Sequence, residues 1–150
     1  MNTGLAHPRS VKPISALDTN VISELRKPTG RRDPGVEAWF ATVPDDSIFL
    51  SVLVLGEIRC AVERIRRRDL AAAEALDTWL AQLRANYAGR ILPVDATVAD
   101  LWGKLNVPDP MPAVDGLLAA TALAHGLTLV TPNVRDVARF GVATHNPFTG

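Results

Sequence analysis

Apolar positions along the chain fall into two patterns, short continuous runs and longer stretches with helical spacing. Residues 14–18, ISALD, are an apolar run closed by an acid, and they predict a short buried strand ending at Asp18. Residues 21–27 predict a helix, with Asp18, Thr19 and Asn20 as candidate caps before it and Pro28 and Gly30 beyond it. Pro34 suits a first helical position and opens a helix through Trp39 and Val43. Residues 48–51 read as the next strand. It runs into a helix over 52–68 in which Leu55, Ile58, Val62 and Ile65 recur at helical spacing. Asp69 caps a second long helix over 69–87, with Leu76, Trp79, Leu80 and Leu83 on its apolar face.

The second half repeats the alternation. A strand over 90–94 precedes a helix that starts at Asp95 or Thr97 and carries Val98, Leu101, Trp102 and Leu105. Pro108, Pro110 and Pro112 mark a loop. A helix over 113–125 is closed by Gly126, and a strand over 127–131 follows. A short helix over 134–140 stops at Gly141, before a last strand over 142–145. The strands are unbroken apolar runs without in–out alternation, so they predict a parallel sheet covered on both faces, an α/β sandwich. The helices at 52–68 and 69–87 suit a hairpin standing beside it. Residues 1–13, with Pro8 and Pro13, read as a flexible N-terminal arm to a single domain over 14–150.

Composition narrows the class. Of 150 residues 47% are hydrophobic, enough for a core and too many for a disordered chain. Sixteen basic residues balance 16 acidic ones. That balance denies the protein a long-range positive field, so tight non-specific nucleic-acid binding is not expected, while weak or local binding remains compatible. Cys60 is the only cysteine, which excludes an internal disulfide and a cysteine-based zinc site and fits a reducing cytoplasm. The first fifteen residues lack the apolar core of a signal peptide, and the run 48–56 is too short to span a bilayer. These features predict a soluble protein.

The location of the carboxylates carries the chemistry. Asp18 ends the first strand, Glu57 lies early in the helix after the second, and Asp136 closely follows the strand at 127–131. In an open parallel sheet, ligands sit beyond the carboxyl ends of the strands, and topology places these three acids on that edge. Asp115, in the first turn of the helix before that strand, joins them if its helix starts on the same side. Each acid alone has an ordinary structural explanation, as a helix cap, a helix-surface group or a partner of a helix dipole. Together they would repel one another and suffer desolvation, and no lysine or arginine inside the four motifs is placed to neutralise them fully. A bound cation resolves the conflict, and oxygen ligands favour magnesium or manganese over zinc or copper.

Four segments, ALDTNVISEL, SVLVLGEIRCAVERI, AVDGLLAATALAHGLTLVT and TPNVRDVARFGV, resemble the signature segments of PIN-domain proteins, and GRILPVD at 89–95 resembles a fifth. The similarity covers about residues 14–148 and is nearest to the VapC and FitB-like toxins. It implies a three-layer α/β/α sandwich with a central parallel sheet, and a Mg2+- or Mn2+-dependent ribonuclease that works as a homodimer beside a cognate antitoxin. It assigns Asp18, Glu57 and Asp115 as the core acids. Asn133 and Asp136 both fall where a fourth polar ligand belongs, with Asp136 favoured. Asn20 and Thr131 match supporting polar positions. Pro132 departs from the family pattern, which often has arginine there.

These readings predict hydrolysis of an RNA phosphodiester by water activated at the metal. Arg64, Arg66, Arg67 and Arg68 are either a solvated helix end or a track for phosphates. Trp39, Trp79 and Trp102 are expected in the core, and Cys60 as a small buried hydrophobe. His7, His125 and His145 lack zinc-site spacing, and no Walker, Rossmann or nucleophile-elbow motif occurs. A phosphatase-like aspartyl nucleophile would want a second acid two residues after Asp18, where Asn20 stands. A phospho-receiver would want a late lysine, and the last is Lys104. The remaining rival is a catalytically silent domain that only binds protein or RNA.

Overall fold

The computed structural model describes residues 14–149, so the expected arm at 1–13 lies outside the described residues. Five strands are formed: β1 (Ser15–Leu17), β2 (Ile48–Ser51), β3 (Ile91–Leu92), β4 (Thr128–Val130) and β5 (Thr144–His145). All pair in parallel, in the order β3-β2-β1-β4-β5. Seven α-helices flank them: α1 (Thr19–Leu25), α2 (Pro34–Thr42), α3 (Val52–Arg66), α4 (Leu70–Asn86), α5 (Ala96–Leu105), α6 (Ala113–His125) and α7 (Val134–Ala138). This is the expected α/β/α sandwich. Leu17, Ile48, Leu50, Leu129 and Val130 are almost wholly buried, as a sheet covered on both faces requires.

The sheet order positions the site. From β1 the chain crosses to β2 on one side, and β4 lies on the other, with Leu17 beside Val130. The order therefore reverses between β1 and β4, and a crevice opens beyond their carboxyl ends. α6 ends two residues before β4 starts and packs on it. A helix of 13 residues extends about 20 Å, enough to return its first turn to the carboxyl edge of the sheet. That geometry answers the question left open for Asp115.

Local chemistry sets the boundaries. Asp33, Ser51, Asp69 and Asp95 each accept a backbone N–H in the first turn of the helix they precede. The Asp95 contact to Val98, at 2.9 Å, makes Asp95 rather than Thr97 the cap of α5. β3 is shorter than the expected 90–94 because it is an edge strand whose next residue, Pro93, has no N–H for the ladder. β5, the other edge, is confined to the pairs Leu129–Thr144 and Val130–His145. α1 begins at Thr19, earlier than expected, because the Asp18 carbonyl accepts the N–H groups of Val21 and Ile22.

α3 and α4 form the expected hairpin. Val54, Ile58 and Val62 supply the buried face of α3, and Ala73, Leu76, Leu80 and Leu83 that of α4. Cys60 corrects an expectation: it is exposed, because it sits two residues from both Ile58 and Val62 and so points away from their face. The three tryptophans are half-buried rather than enclosed, with Trp39 and Trp79 packed against the margin of the core. Among the described residues, no helix is long and apolar enough to cross a membrane.

Gly35, in the first turn of α2, lies under the C-terminal segment. A Cβ there would come within 2.2 Å of the Pro147 carbonyl oxygen. Gly35→Ala should therefore cost about 1–3 kcal/mol through overpacking, overriding alanine's better helix propensity. Gly103→Ala, where a Cβ meets nothing within 4 Å, should instead stabilise by up to about 1 kcal/mol. Urea denaturation of the two variants reads the opposite signs. Stabilisation by Gly35→Ala would contradict the packing described.

Candidate active site

Asp18 emerges from β1 half-buried and occupies the N-cap position of α1, yet its carboxylate makes no capping bond. Instead Asp18 Oδ2 accepts the Thr131 hydroxyl at 2.6 Å. Thr131, only 1% exposed, lies just past β4, where its N–H donates to the His145 carbonyl at 2.9 Å. Its hydroxyl oxygen also accepts the Asn133 N–H at 3.0 Å. With its proton committed to Asp18 and its oxygen engaged by Asn133, the hydroxyl fixes the carboxylate across the parting of β1 and β4.

Glu57 sits half-buried in the second turn of α3, and Glu57 Oε1 accepts the Thr19 hydroxyl. Thr19 was weighed from sequence only as a cap. Its adjacency to Asp18 was the available signal, but no spacing rule links it to a residue 38 positions on. Asn20, the expected supporting polar group, is exposed on α1 and donates to none of these carboxylates among the described residues.

Asp115 is half-buried in the first turn of α6, where its side chain caps nothing. The next residue, Gly116, has no side chain to obstruct α5: a Cβ there would approach the Trp102 indole nitrogen to 3.0 Å. Burial raises the Asp115 carboxyl above its ordinary pKa, and the negative charges of Asp18, Glu57 and Asp136 raise it further. All four expected acids thus meet in one electrostatic neighbourhood. They converge to electrostatic rather than coordination range, since no three acids, histidines or cysteines among the described residues already form a ligand shell.

Asp136 is exposed in the first turn of α7, and Asn133 is half-buried immediately before it. Of these two candidates for the fourth position, Asp136 acts on Asp115 through its charge, while Asn133 is tied to Thr131 through its backbone. The basic run is not drawn into this cluster. Arg64 lies seven residues beyond Glu57, about 10 Å along the helix axis, and Arg67 and Arg68 lie past the end of α3. Arg66 is engaged by Glu63 and Asp77 at 3.2 Å each.

The fold and this arrangement of acids define a class, and a family model bears it out: the PIN domain model matches residues 16–141, and the chain belongs to that family. Within it, the chain is 32% identical over 139 residues to Toxin FitB of Neisseria gonorrhoeae, covering 88% of this chain and 96% of FitB. It is 32% identical over 140 residues to VapC ribonuclease Y4jK of Sinorhizobium fredii, with the same coverage. The crystal structure of FitAcB from Neisseria gonorrhoeae superposes with a TM-score of 0.81 at 31% identity, over 89% of this chain and 98% of that one.

Raising a carboxyl's pKa on folding means that the folded state binds more protons than the unfolded one. Stability contributed by Asp115 is therefore present below the ordinary value of 3.8 and is lost as pH rises through the elevated folded value. With divalent ions chelated, Asp115→Asn should melt at a higher temperature than the wild type at neutral pH, and the gap should shrink toward pH 4. A lower melting temperature for Asp115→Asn at neutral pH would show that the four charges do not strain the fold.

Proposed function

We propose that the chain is a metal-dependent endoribonuclease, the toxin of a toxin–antitoxin pair. One observation carries the reading: Asp115 is pressed by three further carboxylates, at the crevice where β1 and β4 part. The fit to a hard divalent cation follows from the donors. Asp18, Glu57, Asp115 and Asp136 offer only oxygen, which suits Mg2+ or Mn2+. Those residues would hold the ion, with Asn133 as a further oxygen donor beside them. When bound, such an ion lowers the pKa of a water and offsets charge developing on a phosphate.

The chain's own residues do the remaining work. The Thr131 hydroxyl holds Asp18 in one orientation, and the Thr19 hydroxyl does the same for Glu57. Both hydroxyls leave carboxylate oxygens available for a ligand. Burial and the neighbouring carboxylates raise the proton affinity of Asp115, and a cation bound among them would offset that repulsion. One of these carboxylates would also accept the proton of the attacking water. RNA as substrate is supported by likeness to a relative named a VapC ribonuclease, and the antitoxin by likeness to one named a toxin. We extend the same reading to a homodimer working in the cytoplasm.

The decisive assay incubates purified protein, free of any partner, with total RNA in Mg2+, in Mn2+ and in chelator, and maps the ends produced. Cleavage should require the metal, and Asp115→Asn should reduce it to background without altering the fold seen by circular dichroism. Thr131→Val, which removes the hydroxyl that orients Asp18 and accepts the Asn133 N–H, should weaken metal affinity or activity about 10- to 100-fold. Wild-type protein that binds RNA and leaves it intact in either metal would favour the silent binding module instead.

A further inference from the structure

The acid cluster has a neighbouring recess of about 230 Å³ between α1, α3 and α4, lined by Thr19, Ser23, Arg26, Glu57, Ile58 and Trp79 among others. It shares Thr19 and Glu57 with the site, so the two adjoin. Its far wall is aromatic and cationic. Arg26, exposed at the end of α1, holds its guanidinium carbon 5.8 Å from the centre of the Trp79 ring on α4. Through Ser23 and Arg26 the recess continues outward into a second one, bordered by Lys27 and Pro28.

The charges here distinguish Arg26 from its neighbours. Lys27 is paired with Glu24 at 3.0 Å, Arg59 with Asp77 at 2.8 Å, and Arg66 with Glu63 and Asp77. Arg26 has no carboxylate partner among the described residues, and its described contact is the Trp79 ring. On a chain of zero formal charge, a polyanion approaching four carboxylates needs a cation close at hand. Arg26 is such a cation, in the same recess as Glu57. Beside it are an aromatic face, the aliphatic side chain of Ile58 and two hydroxyls, the kinds of group that stack on a base and bond to its edge.

Building on the ribonuclease reading, we propose that this recess receives one unpaired base next to the scissile phosphate. Trp79 stacks on the base, and Arg26 neutralises the phosphate that flanks it. At about 230 Å³ the recess is on the scale of a single base, and the sequence preference at that nucleotide is set here. Arg26 and Trp79 are binding residues in this scheme, and the acids alone carry the chemistry.

The test uses a single-stranded oligonucleotide with a mapped cut, and versions in which one nucleotide at a time is made abasic. The wild type should lose roughly 5- to 100-fold in kcat/KM when one nucleotide beside the cut lacks its base, the loss expected for one stacking contact. Trp79→Leu should lose a similar factor on the intact strand and be indifferent to that abasic position, while Trp79→Phe retains most activity. Arg26→Ala, at an exposed position that leaves folding intact, should raise KM, lower the salt dependence and spare kcat. An abasic penalty as large in Trp79→Leu as in the wild type, or an unchanged KM in Arg26→Ala, would overturn the proposal. So would variants that cut RNA normally and lose only inhibition by a protein partner, which would make the recess a protein-docking site. Equal cutting of duplex and single strand would overturn it as well. A wild type that cuts no RNA would remove the function itself and the recess with it, whereas unaffected variants of an active enzyme remove the recess alone.

Discussion

The hydrogen bond from the Thr131 hydroxyl to Asp18 joins the two strands between which the sheet order reverses, and the site is organised around it. Strands β1 and β4 are hydrogen-bonded neighbours up to Leu17 and Val130, and then their chains part into α1 and toward α7. A carboxylate at that point has a nearby use, capping α1, and the Thr131 hydroxyl turns it from that use. Thr131 is itself buried and held by backbone contacts to His145 and Asn133, so the orientation of Asp18 is inherited from the sheet. The other acids arrive by longer routes, on α3, α6 and α7, and their repulsion registers at Asp115.

Such an arrangement trades stability for a binding site. Four carboxylates in one neighbourhood oppose folding, and the hydrophobic sheet and the α3–α4 hairpin offset that strain from outside the cluster. The exposed ion pairs of the hairpin contribute little each, at most about 1 kcal/mol. Its rigidity comes from the buried aliphatics between the helices. That division suits the proposed nuclease site: an apolar scaffold holds negative groups that a bound cation would reconcile.

Much of this was legible in the chain. Continuous apolar runs ending in Asp18 and Ser51 gave the strand positions, because parallel strands buried on both faces leave no room for polar alternation. The direction of α6 was less accessible, since only the finished β–α–β geometry shows its first turn returning to the carboxyl edge. Thr19 escaped notice because its partner is set by how α3 docks on α1, a tertiary fact without a local signature. Cys60 was misjudged from its residue type, although the spacing of Ile58 and Val62 already implied an outward direction. Arg66 likewise belonged to a carboxylate network that becomes visible only when α4 lies beside α3.

The central claim is that these acids share a divalent cation, and calorimetric titration of Mn2+ into the partner-free protein tests it most directly. Saturable binding by the wild type, abolished in Asp115→Asn, is the predicted result. Heats no larger than dilution for the wild type, or binding unchanged in Asp115→Asn, would contradict it.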